Sequence, residues 1–143
     1  MAVTISLYNQ TARDMIDGSH VAGNTYKVAL LNASGTFTAT HTVWSDVSAN
    51  EVSGNGWTAG GETLAGVAIT TVTTNDAKFD ANDVSVTATG GTIGPAENAV
   101  IIDTTDTNSL MAHIAFGQAE SAGDGTAFNI NWNASGIFTA TVA

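Results

Sequence analysis

A chain of 143 residues with 43% hydrophobic content suits one domain with an ordinary core and is too apolar to be disordered by composition. Thirteen acids face only Arg13, Lys27 and Lys78, for a formal net charge of −10. Three scattered cations build no groove that tracks phosphates, and an anionic membrane surface repels such a chain, so the reading is no nucleic acid and no membrane. Charged residues make up only 11%, against the usual ~25%, so Thr, Ser, Asn and Gly must supply the polar surface. Cysteine is absent, which excludes disulfides and thiolate metal sites, and Met1 leads into Ala2-Val3-Thr4-Ile5-Ser6 without the pattern of a signal peptide.

The first predicted element is a helix near residues 7–17. Ser6 is its cap, Tyr8, Ala12, Met15 and Ile16 make an apolar face, Arg13, Asp14 and Asp17 fall mainly opposite, and Gly18 is the stop. Such a helix covers an end or edge of a sheet; the other reading is a docking element for a neighbouring subunit. From Tyr26 the period is two. Tyr26, Val28 and Leu30 alternate with Lys27, Ala29 and Leu31, so this strand is apolar on both faces and central. Phe37, Ala39, His41 and Val43 alternate with Thr36, Thr38, Thr40 and Thr42, a strand with one solvated Thr face. Further strands are predicted around 62–74, 77–79, 83–89, 99–103 and 110–116. Phe128, Ile130 and Trp132 then alternate with Asn129, Asn131 and Asn133, and a last strand covers 136–142.

Between these runs lie turn signals: Asn55-Gly56, Gly60-Gly61, Asn75-Asp76, Gly90-Gly91, Asp106-Thr107-Asn108 and Asp124-Gly125. The segment from Asn32 to Thr40 repeats from Asn133 to Thr141 with one difference, as two similar corners of one fold. The pattern predicts a single, mainly β domain over 1–143: an antiparallel β-sandwich or barrel-like structure with one short N-terminal helix.

No catalytic constellation stands out. Nucleophile-elbow, phosphate-loop and dinucleotide motifs are missing, and His20, His41 and His113 have no ligand spacing. His41 and His113 read as partly buried, hydrogen-bonded side chains. Glu51, Glu62, Glu97 and Glu120 have no placement from sequence alone. Asp76, Asp80, Asn82 and Asp83 lack the order of a calcium loop and enclose Lys78, so they read as turn formers, as do Asp103, Asp106 and Asn108. The expectation is therefore a non-enzyme with no cofactor and no metal. Trp57, inside a Gly-rich loop, is either a lid on the core, the favoured reading, or an exposed anchor. The row Asn129, Asn131, Asn133 is the wet face of a strand, with a sugar or a partner strand as the alternative contact.

The ordered set Leu7-Tyr8-Asn9, Tyr26 to Leu31, Trp44-Ser45-Asp46-Val47-Ser48-Ala49-Asn50-Glu51-Val52, the Gly-rich run from Gly54 to Gly66, Phe79-Asp80-Ala81 with Asp83-Val84, Ala99 to Ile102, and Phe128 to Phe138 resembles a family of small accessory virion proteins of tailed bacteriophages. The resemblance spans nearly the whole chain and supplies no catalytic residues. It implies a capsid decoration or cement protein, assembled in the host cytoplasm onto the outer capsid surface and stabilising the head. The implied partners are the major capsid protein and further copies of the chain, as a trimer. The expected partner contacts are Leu7, Tyr8, Trp44 and Trp57, within the segment Ala2 to Tyr8 and the loop around Trp57. The alternative is a tail or head-fibre component with a carbohydrate-binding role.

Overall fold

The alternation at Tyr26 to Leu31 sets the architecture. Tyr26, Val28 and Leu30 point into one apolar core, while Ala29 and Leu31 point into a second, and all five are fully buried. In this computed structural model, which describes residues 3–72 and 76–141, the chain is mainly β. Its elements in order are β1 (Thr4–Leu7), α1 (Asn9–Ile16), β2 (Tyr26–Leu31), two 3₁₀ turns (Trp44–Asp46 and Ser48–Asn50), β3 (Glu51–Val52), β4 (Glu62–Thr63), β5 (Ala68–Thr71), β6 (Asp76–Asp80), β7 (Val84–Thr87), β8 (Ile93–Asp103), β9 (Ser109–Ala122), β10 (Ala127–Ile130) and β11 (Phe138–Thr141).

The main sheet has the order β1-β9-β8-β2-β3, with β4 also on β2, and its pairings are antiparallel. Two smaller antiparallel sheets, β10-β7 and β11-β6-β5, supply the other side of the larger core. There Tyr26 meets Phe79 edge-on at 5.0 Å, Phe79 stacks on Phe138 at 5.3 Å, and Trp57 meets Phe128 edge-on at 5.4 Å. The opposite face of the main sheet, with Ala29, Val100, Ile102 and Leu110, is covered by Tyr8, Val47 and Trp44. A sandwich of sheets on one side and a cap of irregular chain on the other is thus the finished form. Both faces of β2 are covered within one chain, so the apolar alternation of that strand gives no reason for self-association.

The helix exists but is turned over. Ser6 belongs to β1, which the sequence did not signal, and Tyr8 stands at the cap position of α1 without a side-chain cap bond. The buried helical residues are Thr11 and Asp14, while Ile16 is 88% exposed. The reason is a set of polar ties to β9. Thr11 Oγ1 donates to Met111 O at 2.6 Å, Gln10 Nε2 donates to Ser109 Oγ at 2.8 Å, and Ser109 Oγ donates to Asp14 Oδ2 at 3.4 Å. The ties continue through His20, whose ring lies 3.7 Å from Asp14 and 2.9 Å from Asp103. Asn24 Nδ2 also donates to Asp103 at 2.7 Å, and the backbone N–H groups of Thr105 and Asp106 donate to its other oxygen. Asp103 therefore shapes its own turn, as its type and position predict. Helix, connecting loop and β8–β9 turn are pinned together by buried polar groups rather than by an apolar stripe.

The predicted strand over 36–43 is reduced to an isolated antiparallel bridge of Val43 to Ser109. His41 N bonds back to Thr38 O at 3.0 Å, Ala39 O accepts from Asn9 N, and Asp46 Oδ2 takes the N–H groups of Thr42 and Val43, so the backbone polar groups are satisfied as turns instead of a ladder. The run over 62–74 splits into β4 and β5 around Gly66; residues 73–75, and with them the expected Asn75-Asp76 turn, lie outside the described residues. Residue 142 of the last predicted strand lies outside them as well. The two repeated corners share one turn: Asn32 Oδ1 accepts from Ser34 N at 2.9 Å and Asn133 Oδ1 from Ser135 N at 2.8 Å. Only the second copy feeds a strand, β11.

If polar ties seat α1, Asp14→Ala lowers the unfolding free energy by about 3 kcal/mol, since it removes the buried carboxylate that accepts from Ser109 and lies beside the His20 ring. Ile16→Ser changes it by less than about 0.5 kcal/mol, as expected for an exposed side chain. Urea denaturation of both variants checks this; a larger loss for Ile16→Ser would contradict the inverted helix.

Candidate functional site

One side of the sandwich is open. β1 ends the main sheet and β10 ends one of the smaller sheets, and between these two edges lies a cleft of about 710 Å³. That size falls in the usual range for ligand sites. Its floor is apolar and comes from both layers: Ile114 and Phe116 on β9, Phe128 and Ile130 on β10, all buried. Ile5 and its neighbour Val3 continue the apolar wall on the β1 side, with Ile5 directly opposite Ile114 in the register. The opposite wall carries the exposed amides of Asn129, Asn131 and Asn133. Trp132 lies among them, half-buried, and is held by two bonds: its backbone N–H to Asp83 Oδ1 at 2.8 Å and its indole N–H to Asn82 O at 3.0 Å. Among the described residues that line the cleft, Glu120 is the only charged one, and it accepts from Gln118 at 2.7 Å.

The alternation of Phe128 and Ile130 with Asn129 makes this wall amphipathic, and the Asn row is the part of the cleft that the sequence displays. Val3 and Ile5 lie in the N-terminal segment expected to make contacts, but nothing in the sequence joins that segment to Phe116 and Glu120, because only the pairing of β1 with β9 brings it beside residues more than 100 positions away.

Of the expected contact region, Val3 and Ile5 of the N-terminal segment line this cleft, while Leu7, Tyr8, Trp44 and Trp57 do not. Tyr8 and Trp57 are each 2% exposed and belong to the two cores, so neither offers contact surface. Trp57 is the lid rather than the anchor. It follows a two-residue hairpin turn in which Asn55 and Gly56 both have positive φ, 53° and 107°, with Gly54 N and Trp57 O bonded at 2.8 Å. A Cβ on Gly56 would stand 2.8 Å from Thr87 O, so only glycine lets this turn lie on β7. Trp44 is half-buried against the smaller core, and Leu7 is 38% exposed at the end of β1. Ala2 lies outside the described residues.

The other candidate groups serve the fold. Glu51 and Glu62 accept from the backbone N–H groups of Gly60 and Thr58. Asp80 pairs with Lys78 at 2.9 Å and Asp83 holds Trp132. His20, Asp14 and Asp103 are sealed from solvent. Among the described residues no group of three or more His, Asp or Glu side chains is arranged to hold a metal ion. His41 sits in a turn and its Nδ1 has no hydrogen-bond partner. His113 is hydrogen-bonded as expected, donating from Nε2 to Gly35 O at 2.8 Å beneath the Phe37 ring. Compared with family models, curated proteins and solved structures, the chain matches none.

Burial holds the His113 pKa below its ordinary 6.5, with the bond to Gly35 opposing the shift only in part. In the unfolded chain the ring regains its ordinary affinity for protons, so its contribution to stability is complete above that value and is lost as pH falls through the lowered folded pKa. His113→Gln removes this titration. The stability advantage of the wild type over the variant should shrink between about pH 7.5 and about pH 5 in urea melts; a constant or growing advantage would contradict the assignment.

Proposed function

We propose that the chain is a structural component of a tailed-phage particle, a decoration or cement module on the outer capsid surface, and that the cleft between β1 and β10 is its contact surface. The observation that carries the contact is the cleft itself, an apolar and nearly uncharged opening on a module of net charge −10 whose other apolar faces are covered from within. Assignment to a phage particle is supported by the ordered set of segments that resembles small virion proteins. A module of this kind stays soluble at high copy number through its charge, and its Thr and Asn faces offer hydrogen bonds worth about 0.5–1.5 kcal/mol each, which repetition over symmetric sites turns into avidity. The major capsid protein is the proposed partner. Trimeric association of the copies belongs to the proposal through three-fold capsid positions.

A second reading, a glycan-binding tail or head-fibre component, is favoured by Trp132 and the Asn129, Asn131, Asn133 row at the cleft. Cryo-electron microscopy of a virion carrying the protein decides between them. The proposal expects density on the head with the β1–β10 side turned to the capsid. Density confined to the tail, together with binding of host surface polysaccharide, would replace it with the second reading, and shortening of that polysaccharide would overturn the non-enzyme expectation.

A further inference from the structure

We infer that the cleft is a strand acceptor: an extended segment of a partner protein, apolar at alternate positions and bearing a lysine or arginine, adds to the outer edge of β1 and closes the cleft over β10. This rests on the reading of the cleft as the contact surface.

Both rims are strand edges without a second partner strand among the described residues, where β1 pairs with β9 and β10 with β7. Among the described residues, no other group bonds to the backbone of Thr4 to Ser6 or of Ala127 to Ile130. Such edges are templates for a further strand, and proteins blunt them with charges, prolines or bulges. Thr4-Ile5-Ser6-Leu7 and Ala127-Phe128-Asn129-Ile130 contain none of these residues. A strand laid along β1 presents every second side chain inward, at intervals of about 7 Å. Those side chains stand beside Val3 and Ile5 on the inner face of the main sheet and face β10 across the cleft, while the backbone supplies the bonds that β1 lacks. Selectivity for a cation follows from Glu120, the only charge lining the cleft among the described residues, and from the net charge of −10. A sugar fits less well. The floor is a buried apolar surface rather than an exposed flat ring, and the Trp132 indole N–H is already committed to Asn82 O.

The test titrates isotopically labelled protein with the peptide acetyl-Lys-Thr-Val-Thr-Val-Thr-Val-amide and follows amide shifts. Two further probes carry N-methyl groups on the valines or on the threonines, each blocking one edge of the extended peptide. Saturable shifts should map to β1, β9 and β10. One of the two methylated peptides should lose about tenfold or more in affinity while the other binds, because a strand added to β1 pairs through one edge only. Glu120→Lys should reverse the preference toward the same peptide with glutamate in place of lysine. Equal binding of all three peptides, equal loss for both methylated forms, shifts confined to β5 or β11, or no shift at millimolar peptide would each overturn strand addition. So would maltohexaose shifting the cleft amides where the peptide does not. These readouts use the isolated protein, so their failure leaves the location on the particle standing, and tail-only density in a virion leaves strand addition standing.

Discussion

Everything in this fold follows from a central sheet that is apolar on both faces. Burying each Val or Leu of β2 is worth about 1.5–3 kcal/mol, but only if something covers it. Tyr26, Val28 and Leu30 on one side and Ala29 and Leu31 on the other therefore commit the chain to two coverings. The first is built from two small sheets whose aromatic residues, Phe79, Phe128 and Phe138 with Trp57, fill a deep core. The second is thinner and is made of Tyr8, Trp44 and Val47 on irregular chain. Irregular cover needs fastening. Asp46 serves the backbone around Thr42, and its carboxyl is held below the usual range by those N–H donors. The Asp14, His20 and Asp103 cluster pins α1 to the β8–β9 turn.

This division explains what could be read from the residues alone. Strands that bury one or both faces by strict alternation, such as β2 and β10, are visible because period two is a direct consequence of the pleat. Turns at Asn55-Gly56 and at the two Asn-Ala-Ser-Gly corners are visible because their side chains or positive φ angles make them locally. The helix face was illegible for a physical reason. Its apolar spacing at Ala12, Met15 and Ile16 is ordinary, yet a dense set of polar partners on β9 outweighs it and turns Thr11 and Asp14 inward. The Thr-rich alternation from Thr36 to Val43 misleads in the same way, since Asp46 and Asn9 offer its backbone other partners than a neighbouring strand. As for the cleft, its Asn row and the N-terminal contact segment are each legible and their meeting is not, because Val3 and Ile5 come beside Phe116 and Glu120 only through long-range pairing.

An open inter-sheet cleft has a meaning that a closed one lacks. The main sheet ends at β1 and one small sheet ends at β10, and among the described residues no strand joins the two layers on that side. A barrel would have removed both edges. Here both edges rim a cleft whose floor of buried apolar side chains lies between the two layers. Phe116 and Phe128, with ring centroids 6.5 Å apart, bring the two layers together at that floor.

Native-state hydrogen exchange on the free protein tests this division most directly. A doubly covered sheet with one open side predicts that the amides of Val28 to Leu30, Ala99 to Ile101 and Ala112 to Ile114 exchange slowest, near the global unfolding limit. Alternate amides in Thr4 to Leu7 and in Ala127 to Ile130, those turned to the cleft, should exchange orders of magnitude faster. Uniform slow exchange along β1 and β10 would mean that the edges are already paired, and fast exchange in β2 would mean that one of its two coverings does not hold.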